Sequence, residues 1–387
     1  MTEDRIVRAF KKRFNLNPSL TVKAPGRINL IGEHTDYNDG FVLPAAIDKA
    51  FYFCISKRDD RHIILNSADL EDDLQLTLDT LEKTDKSWAN FLIGVLKEMQ
   101  NLGSKIDCGF NLSFGGDVPL GAGLSSSAAV ESGLGFALNE LYDLNLSRLD
   151  LALIAQKAEH NFAGVRCGIM DMYASLMGRE GQVIKLDCQN LTHEYLPFQF
   201  EDISIILFNT RVSHNLAESE YNKRRSECEA GLKLLQKHYP KIKSFRDVDI
   251  ELLERHKEEF LPKIYDRCQY VLSEECRMKK ATIALENSDL ETFGQLMFET
   301  HEGLKNKYEV SCDELDFLVE LAAQNSNILG ARMMGGGFGG CTINLTKKEA
   351  LKKIVGNFRQ KYQERFGMEL EEIQVKIMDG CSLINHQ

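Results

Sequence analysis

Pro119-Leu-Gly-Ala-Gly-Leu-Ser-Ser-Ser-Ala-Ala-Val130 sets two glycines and three consecutive hydroxyls against the start of an apolar, helix-forming run, Ala128 to Tyr142. Such a stretch builds a tight loop whose amides open onto a helix N-terminus. Successive N–H groups and the positive end of the helix dipole stabilise anionic oxygens without a lysine. A serine hydroxyl in the first turn can reach a Mg²⁺ held between phosphates. The same serines also suit an N-cap, so the loop alone leaves a nucleotide site and a simple helix cap both open.

The rest of the chain narrows the partner. Its 387 residues suffice for two domains, and 43% hydrophobic with 27% charged residues is ordinary soluble material. With 47 basic against 58 acidic side chains the net charge is −11, which disfavours nucleic acid and anionic membrane and favours a small-molecule partner. The ten cysteines are scattered, with no C-x-x-C pair and no His/Cys cluster at zinc spacing, and read as reduced thiols. Met1-Thr-Glu-Asp-Arg-Ile-Val lacks the apolar core of a signal peptide and no apolar run reaches spanning length, so a cytoplasmic location is expected.

Periodicity predicts a helix over 4–14, then strands near Leu20, 41–43, 51–56, 63–65 and 110–114, with a helix over 88–101. Helices follow over 128–144 and 149–163, and another opens near 168–171. The second half begins with the strand-like 203–208 and continues through helices near 219–237, 249–258, 262–286 and 289–304. It closes with a helix over 313–325, strands at 342–345 and 373–377, and a helix over 347–366 between them. The expected division is an α+β domain over 1–205 and a second domain over 206–387.

Three further constellations carry chemistry. Lys23-Ala-Pro-Gly-Arg-Ile-Asn-Leu-Ile-Gly-Glu-His-Thr-Asp-Tyr-Asn38 crowds Arg27, Glu33, His34 and Asp36 into a short stretch, a set suited to a polyhydroxylated ligand; a solvated loop would use similar residues. Asp171, in Cys167-Gly-Ile-Met-Asp-Met-Tyr173, stands among apolar residues at an expected helix start. It could serve as a cap, but a partly buried carboxylate wants a partner such as Arg27. Met333-Met-Gly-Gly-Gly-Phe-Gly-Gly-Cys341 holds five glycines in six positions and permits close backbone approach. There is no Gly-Lys dipeptide and hence no Walker A loop, no dinucleotide fingerprint, and no His-Arg-Asp kinase loop.

Taken together, Gly26 to Asn38, Pro119 to Ala129, Gly168-Ile-Met-Asp171, Ser219 to Cys228, Tyr308 to Asp316 and Gly335 to Cys341 resemble the motifs of the GHMP kinase superfamily, and the first resembles its galactokinase family. The resemblance runs nearly end to end. It implies a two-domain GHMP kinase fold of α+β class, with an N-terminal domain like ribosomal protein S5 and a C-terminal ferredoxin-like α/β sandwich with added helices. It implies ATP-dependent phosphorylation of galactose at the anomeric hydroxyl, with Mg²⁺ and with ATP lodged between the domains; the sequence names no protein partner, and between a monomer and an oligomer it leaves the state open. By motif it assigns sugar contacts to Glu33, His34, Thr35, Asp36, Gly168 and Tyr221. The ATP phosphates fall to Gly121, Ala122, Gly123, Leu124, Ser125, Ser126 and Ser127, with Ser67 as a further nucleotide contact. Ser127 and Glu159 match the magnesium positions, Arg27 the transition-state cation, and Asp171 the carboxylate facing the anomeric hydroxyl. An N-acetylgalactosamine kinase and a non-catalytic galactose sensor are the alternatives; the complete Ser125-Ser-Ser-Ala-Ala129 segment weighs against the sensor.

Overall fold

The computed structural model of the chain describes residues 2–212 and 217–384. The first half runs α1 (Thr2–Phe14), β1 (Leu20–Asn29), β2 (Phe41–Val42), β3 (Pro44–Lys57), β4 (His62–Ser67), β5 (Asp72–Thr77), α2 (Ser87–Asn101), β6 (Phe110–Gly116), α3 (Ser126–Tyr142), α4 (Arg148–Ala158), α5 (Met170–Met177), β7 (Gln182–Asp187) and β8 (Thr192–Pro197). The second runs β9 (Ile203–Asn209), α6 (Ala217–His238), α7 (Ile250–Arg255), α8 (Pro262–Glu286), α9 (Leu290–Gly303), α10 (Asp313–Ala323), β10 (Ile328–Met334), β11 (Cys341–Lys347), α11 (Leu351–Phe366), β12 (Glu371–Val375) and β13 (Ser382–Leu383).

The strands form a six-stranded sheet in the order β13-β1-β3-β6-β4-β5, a four-stranded sheet β10-β11-β9-β12 and a three-stranded sheet β2-β7-β8. In the large sheet, alternate residues of β1, β3 and β6 such as Val22, Phe53 and Leu112 point into a core shared with the helices of the first half. Leu134 and Leu138 of α3 meet them fully buried, and each such side chain contributes about 1.5–3 kcal/mol relative to exposure. Because α3 is enclosed on nearly every side, it is mostly apolar rather than amphipathic. The pairing of β1 with β3 shifts register between Pro25 and Arg27. Such a bulge re-aims a side chain, here Arg27.

The expected helices are present, with small differences at their ends. The helix expected over 149–163 ends as an α-helix at Ala158 and passes into a π-turn over Glu159–Ala163, a feature frequent at functional sites. Five strands were not anticipated: β5, β7, β8, β10 and the two-residue β13. The first three mix polar and apolar residues without clean alternation, and β10 carries a buried arginine and a glycine among apolar residues, so none shows the usual strand pattern. β13 leaves the second half to pair with β1 at Val22 and Lys23. The ten cysteines form no disulfide, and no described helix is long and apolar enough to cross a membrane.

Candidate active site

The loop before α3 turns on Gly121 and Gly123, both at positive φ, and on Ser125, also left-handed at φ 58°. Ser125 occupies the N-cap position without capping the helix through its side chain. Its hydroxyl instead donates to Asp171 Oδ2 at 2.5 Å. Ala122 and Leu124 are fully buried and anchor the loop, leaving main chain and the serine hydroxyls to face a ligand. A side chain at Gly123 would meet the Met334 carbonyl at 3.0 Å, and one at Gly335 would meet Gly123 at 3.2 Å. The glycine clusters of the two halves therefore lie against one another.

Asp171 stands in the first turn of α5. Arg27 grips it with both sides of its guanidinium, Nε to Oδ1 at 2.7 Å and Nη2 to Oδ2 at 2.9 Å, while Nη1 donates to the Gly123 carbonyl at 2.5 Å. Burial opposes the charge on Arg27, but Asp171, helped by Glu33 and Asp36, holds its pKa above the usual value, so the guanidinium stays charged. A cavity of about 270 Å³ opens here, lined by Arg27, Ser125–Ser127, Glu159, Asp171, Tyr221 and the Gly335–Gly337 main chain. Ser126 and Ser127 also border a second cavity of about 530 Å³ walled by Ser67, Trp88, Phe91 and Phe114. All residues of that second cavity come from the first half, so only the glycine cluster and Tyr221 reach over from the second.

The sugar segment packs beside the smaller cavity, reaching its lining through Arg27 alone. Asp36 is buried, and Gly168 gives it room: a side chain there would strike Asp36 Oδ2 at 2.0 Å. Burial, with Asp171 and Glu33 nearby, pushes Asp36 up to about 7. His34 lies among the rings of Tyr37, Tyr221 and Tyr308, with Nδ1 2.8 Å from the Tyr37 hydroxyl. Burial and the nearby Arg224 drive its pKa down to about 3, so the ring is neutral. Thr35 departs from the expected role: its fully buried hydroxyl donates within the loop, to the carbonyl of Gly32 or Phe41. It braces the loop because its side chain points inward. Glu33 is likewise engaged, paired with Arg332 Nη1 at 2.6 Å.

Arg332 is the residue the sequence reading missed most clearly. Fully buried on β10, it also donates to the carbonyls of Asn29 and Leu30. α8 holds the loop too: Glu274 accepts from the Gly32 amide and Glu275 from the Phe41 amide, each at 2.9 Å, and the Tyr270 hydroxyl donates to the Glu33 carbonyl. The i, i+4 spacing places Tyr270 and Glu274 on one stripe of the helix, with Glu275 next to Glu274. Buried Glu131, one turn after Ser127, abuts Glu159; burial and that neighbour push its carboxyl well up. A larger cavity, about 860 Å³, lies behind Phe41 and Glu275 and contains none of the motif side chains.

The sugar segment falls within residues 8–57, which match the galactokinase galactose-binding signature, and residues 90–179 and 281–364 match the N-terminal and C-terminal GHMP kinase domains. The chain is 42% identical to galactokinase of Thermotoga maritima over 94% of its own length and all of that protein. The chain belongs to the galactokinase family. Galactokinase of Clostridium acetobutylicum is 39% identical, covering 97% of each chain. The solved structure of Lactococcus lactis galactokinase complexed with galactose is 34% identical, with a TM-score of 0.94 over 99% of this chain and 100% of that one. A mevalonate kinase structure, at 21% identity and TM-score 0.65, shares the fold. The galactokinase-family reading thus fits the α+β, two-domain kinase architecture expected from the motifs.

Proposed function

We propose that the chain transfers the γ-phosphoryl group of ATP to the anomeric hydroxyl of α-D-galactose, giving galactose 1-phosphate and ADP. The observation that carries this reading is Asp171, held by Arg27 and Ser125 where the Asp36 wall meets the phosphate loop. In this reading the base of ATP lies against Trp88 and Phe91 with Ser67 at the cavity wall, and its phosphates follow Ser126 and Ser127 into the smaller cavity. Galactose hydroxyls meet Asp36, neutral His34 and Tyr221. Asp171 orients the attacking hydroxyl and receives its proton, and the Arg27 charge faces the transferring oxygens, where charge collects in a loose transition state. The chain divides into the units 1–205 and 206–387, and it works in the cytoplasm.

The donor set suits Mg²⁺: the Ser127 hydroxyl and the buried Glu159 carboxylate line the same cavity, and hard oxygen ligands are what that ion takes. Ser127 and Glu159 would hold it. When bound, Mg²⁺ neutralises charge between the β- and γ-phosphates. The test is ADP release from Mg-ATP by purified protein with galactose, N-acetylgalactosamine, glucose, mevalonate or no acceptor. Turnover confined to galactose is expected. Equal or greater turnover with N-acetylgalactosamine would overturn the substrate assignment, and galactose binding without turnover would point to a sensor.

A further inference from the structure

Far from the cleft, the fold assembles three donors that no spacing in the sequence advertises. His238 closes α6, while His256 and Glu259 flank the short turn after α7. His238 Nε2 and His256 Nδ1 each lie 2.7 Å from a different oxygen of the Glu259 carboxylate. Among the described residues this is the one group of three or more His, Cys, Asp or Glu whose donor atoms converge so closely, all within 4.8 Å of one another. The two imidazoles stack with centroids 4.4 Å apart, so both nitrogens face the same carboxylate. On the far side of His256, Nε2 lies 3.1 Å from the Tyr239 hydroxyl. That outer contact lets Nε2 carry the proton and frees Nδ1 as a ligand, the arrangement that orients metal-binding histidines. Among the described residues Glu259 pairs with neither lysine nor arginine, so an incoming cation competes only with the imidazole protons.

We propose that His238, His256 and Glu259 bind a borderline divalent transition-metal ion of the zinc class, with water completing a tetrahedral set. Two imidazoles and one carboxylate match the preferences of Zn²⁺, whereas Mg²⁺ prefers oxygen alone. Metal–ligand distances of roughly 2.0–2.1 Å require the present hydrogen-bonded contacts to open modestly. His238 and Glu259 can do so, being 39% and 46% exposed. The ion would fasten the last turn of α6 to the connection between α7 and α8.

The experiment is calorimetric titration of chelator-stripped full-length protein with ZnCl₂. Excess Mg²⁺ saturates any oxygen-lined site, and a Cys276→Ser background removes the exposed thiol. One saturable equivalent is expected, with a rise in melting temperature. His238→Ala and His256→Ala should each abolish that equivalent, and Tyr239→Phe should weaken it about tenfold by loss of the outer contact. Substitution by Co²⁺ reads the site without relying on stability: an intense tetrahedral visible spectrum is expected and should vanish in His238→Ala, whose side chain is at a helix end. Absence of saturable zinc uptake, or uptake unchanged in both histidine variants, overturns the site.

Discussion

The phosphate loop over 121–127 is shaped largely by its own glycines and the first turn of α3, with Arg27 and Asp171 as its side-chain partners, whereas the sugar segment is held from 234 to 303 positions away by Glu275, Glu274 and Arg332. A loop that binds phosphate through amides needs few side chains, so local sequence suffices. A wall that presents carboxylates and a neutral histidine to hydroxyls must keep charged groups buried, and each needs a distant partner or a cost. Asp171 joins the two regions.

The largest effects should come at that junction. Asp171→Asn should lower kcat by roughly 10⁴-fold, an upper magnitude for a positioned proton acceptor, while galactose and ATP still bind by calorimetry; a rate within tenfold of wild type would remove Asp171 from the chemistry. Arg27→Ala should cost about a thousandfold in kcat, about 4 kcal/mol, and an effect confined to KM would reduce Arg27 to binding. Next come the distant supports of the sugar segment. Arg332→Met strands Glu33 in the interior and should cost about 3–5 kcal/mol of stability by denaturant unfolding. A small loss there would show that the segment holds its own shape.

Glu275→Ala should raise the KM for galactose about tenfold, an amide hydrogen bond to a charged group contributing about 1.5–3 kcal/mol, with the KM for ATP unchanged. Glu275→Gln, which keeps an acceptor for Phe41, should restore most of it. Equal rises in both KM values would mean that the two loops are coupled through α8. The smallest effect concerns pH. Asp36 and Glu275 are both pushed up to about 7, chiefly by burial. The native state therefore binds their protons more tightly than the unfolded chain. Their contribution favours folding below about pH 4 and is lost as pH rises through 7. Asp36→Asn should flatten this slope, raising the melting temperature at pH 8 above that of wild type while weakening galactose binding.

Much of the site was legible because its chemistry is local. Gly-Ala-Gly-Leu-Ser-Ser-Ser, the carboxylate of Asp171 among apolar neighbours, and Arg27 as its partner could be read from residue type and spacing, and the structure joins them directly. Arg332, Glu131 and Glu274 were not legible. Each stands in an ordinary helix or strand, and nothing in the flanking residues distinguishes a buried ion pair from a solvated one. Thr35 misled for the same reason: sequence gives a hydroxyl, and only the turn of the loop decides that it points inward.

By itself the sequence determined the motifs whose resemblance implies the catalytic class, and it made a phosphate-binding loop and a paired carboxylate plausible, since glycine conformations, helix-start amides and a lone carboxylate act over a few residues. The tertiary structure alone decided which charges are buried together, which helix grips the sugar wall, and that two histidines and a glutamate meet at the end of α6. Those depend on distances between segments far apart in the chain, and both burial and Coulomb energy change steeply with such distances.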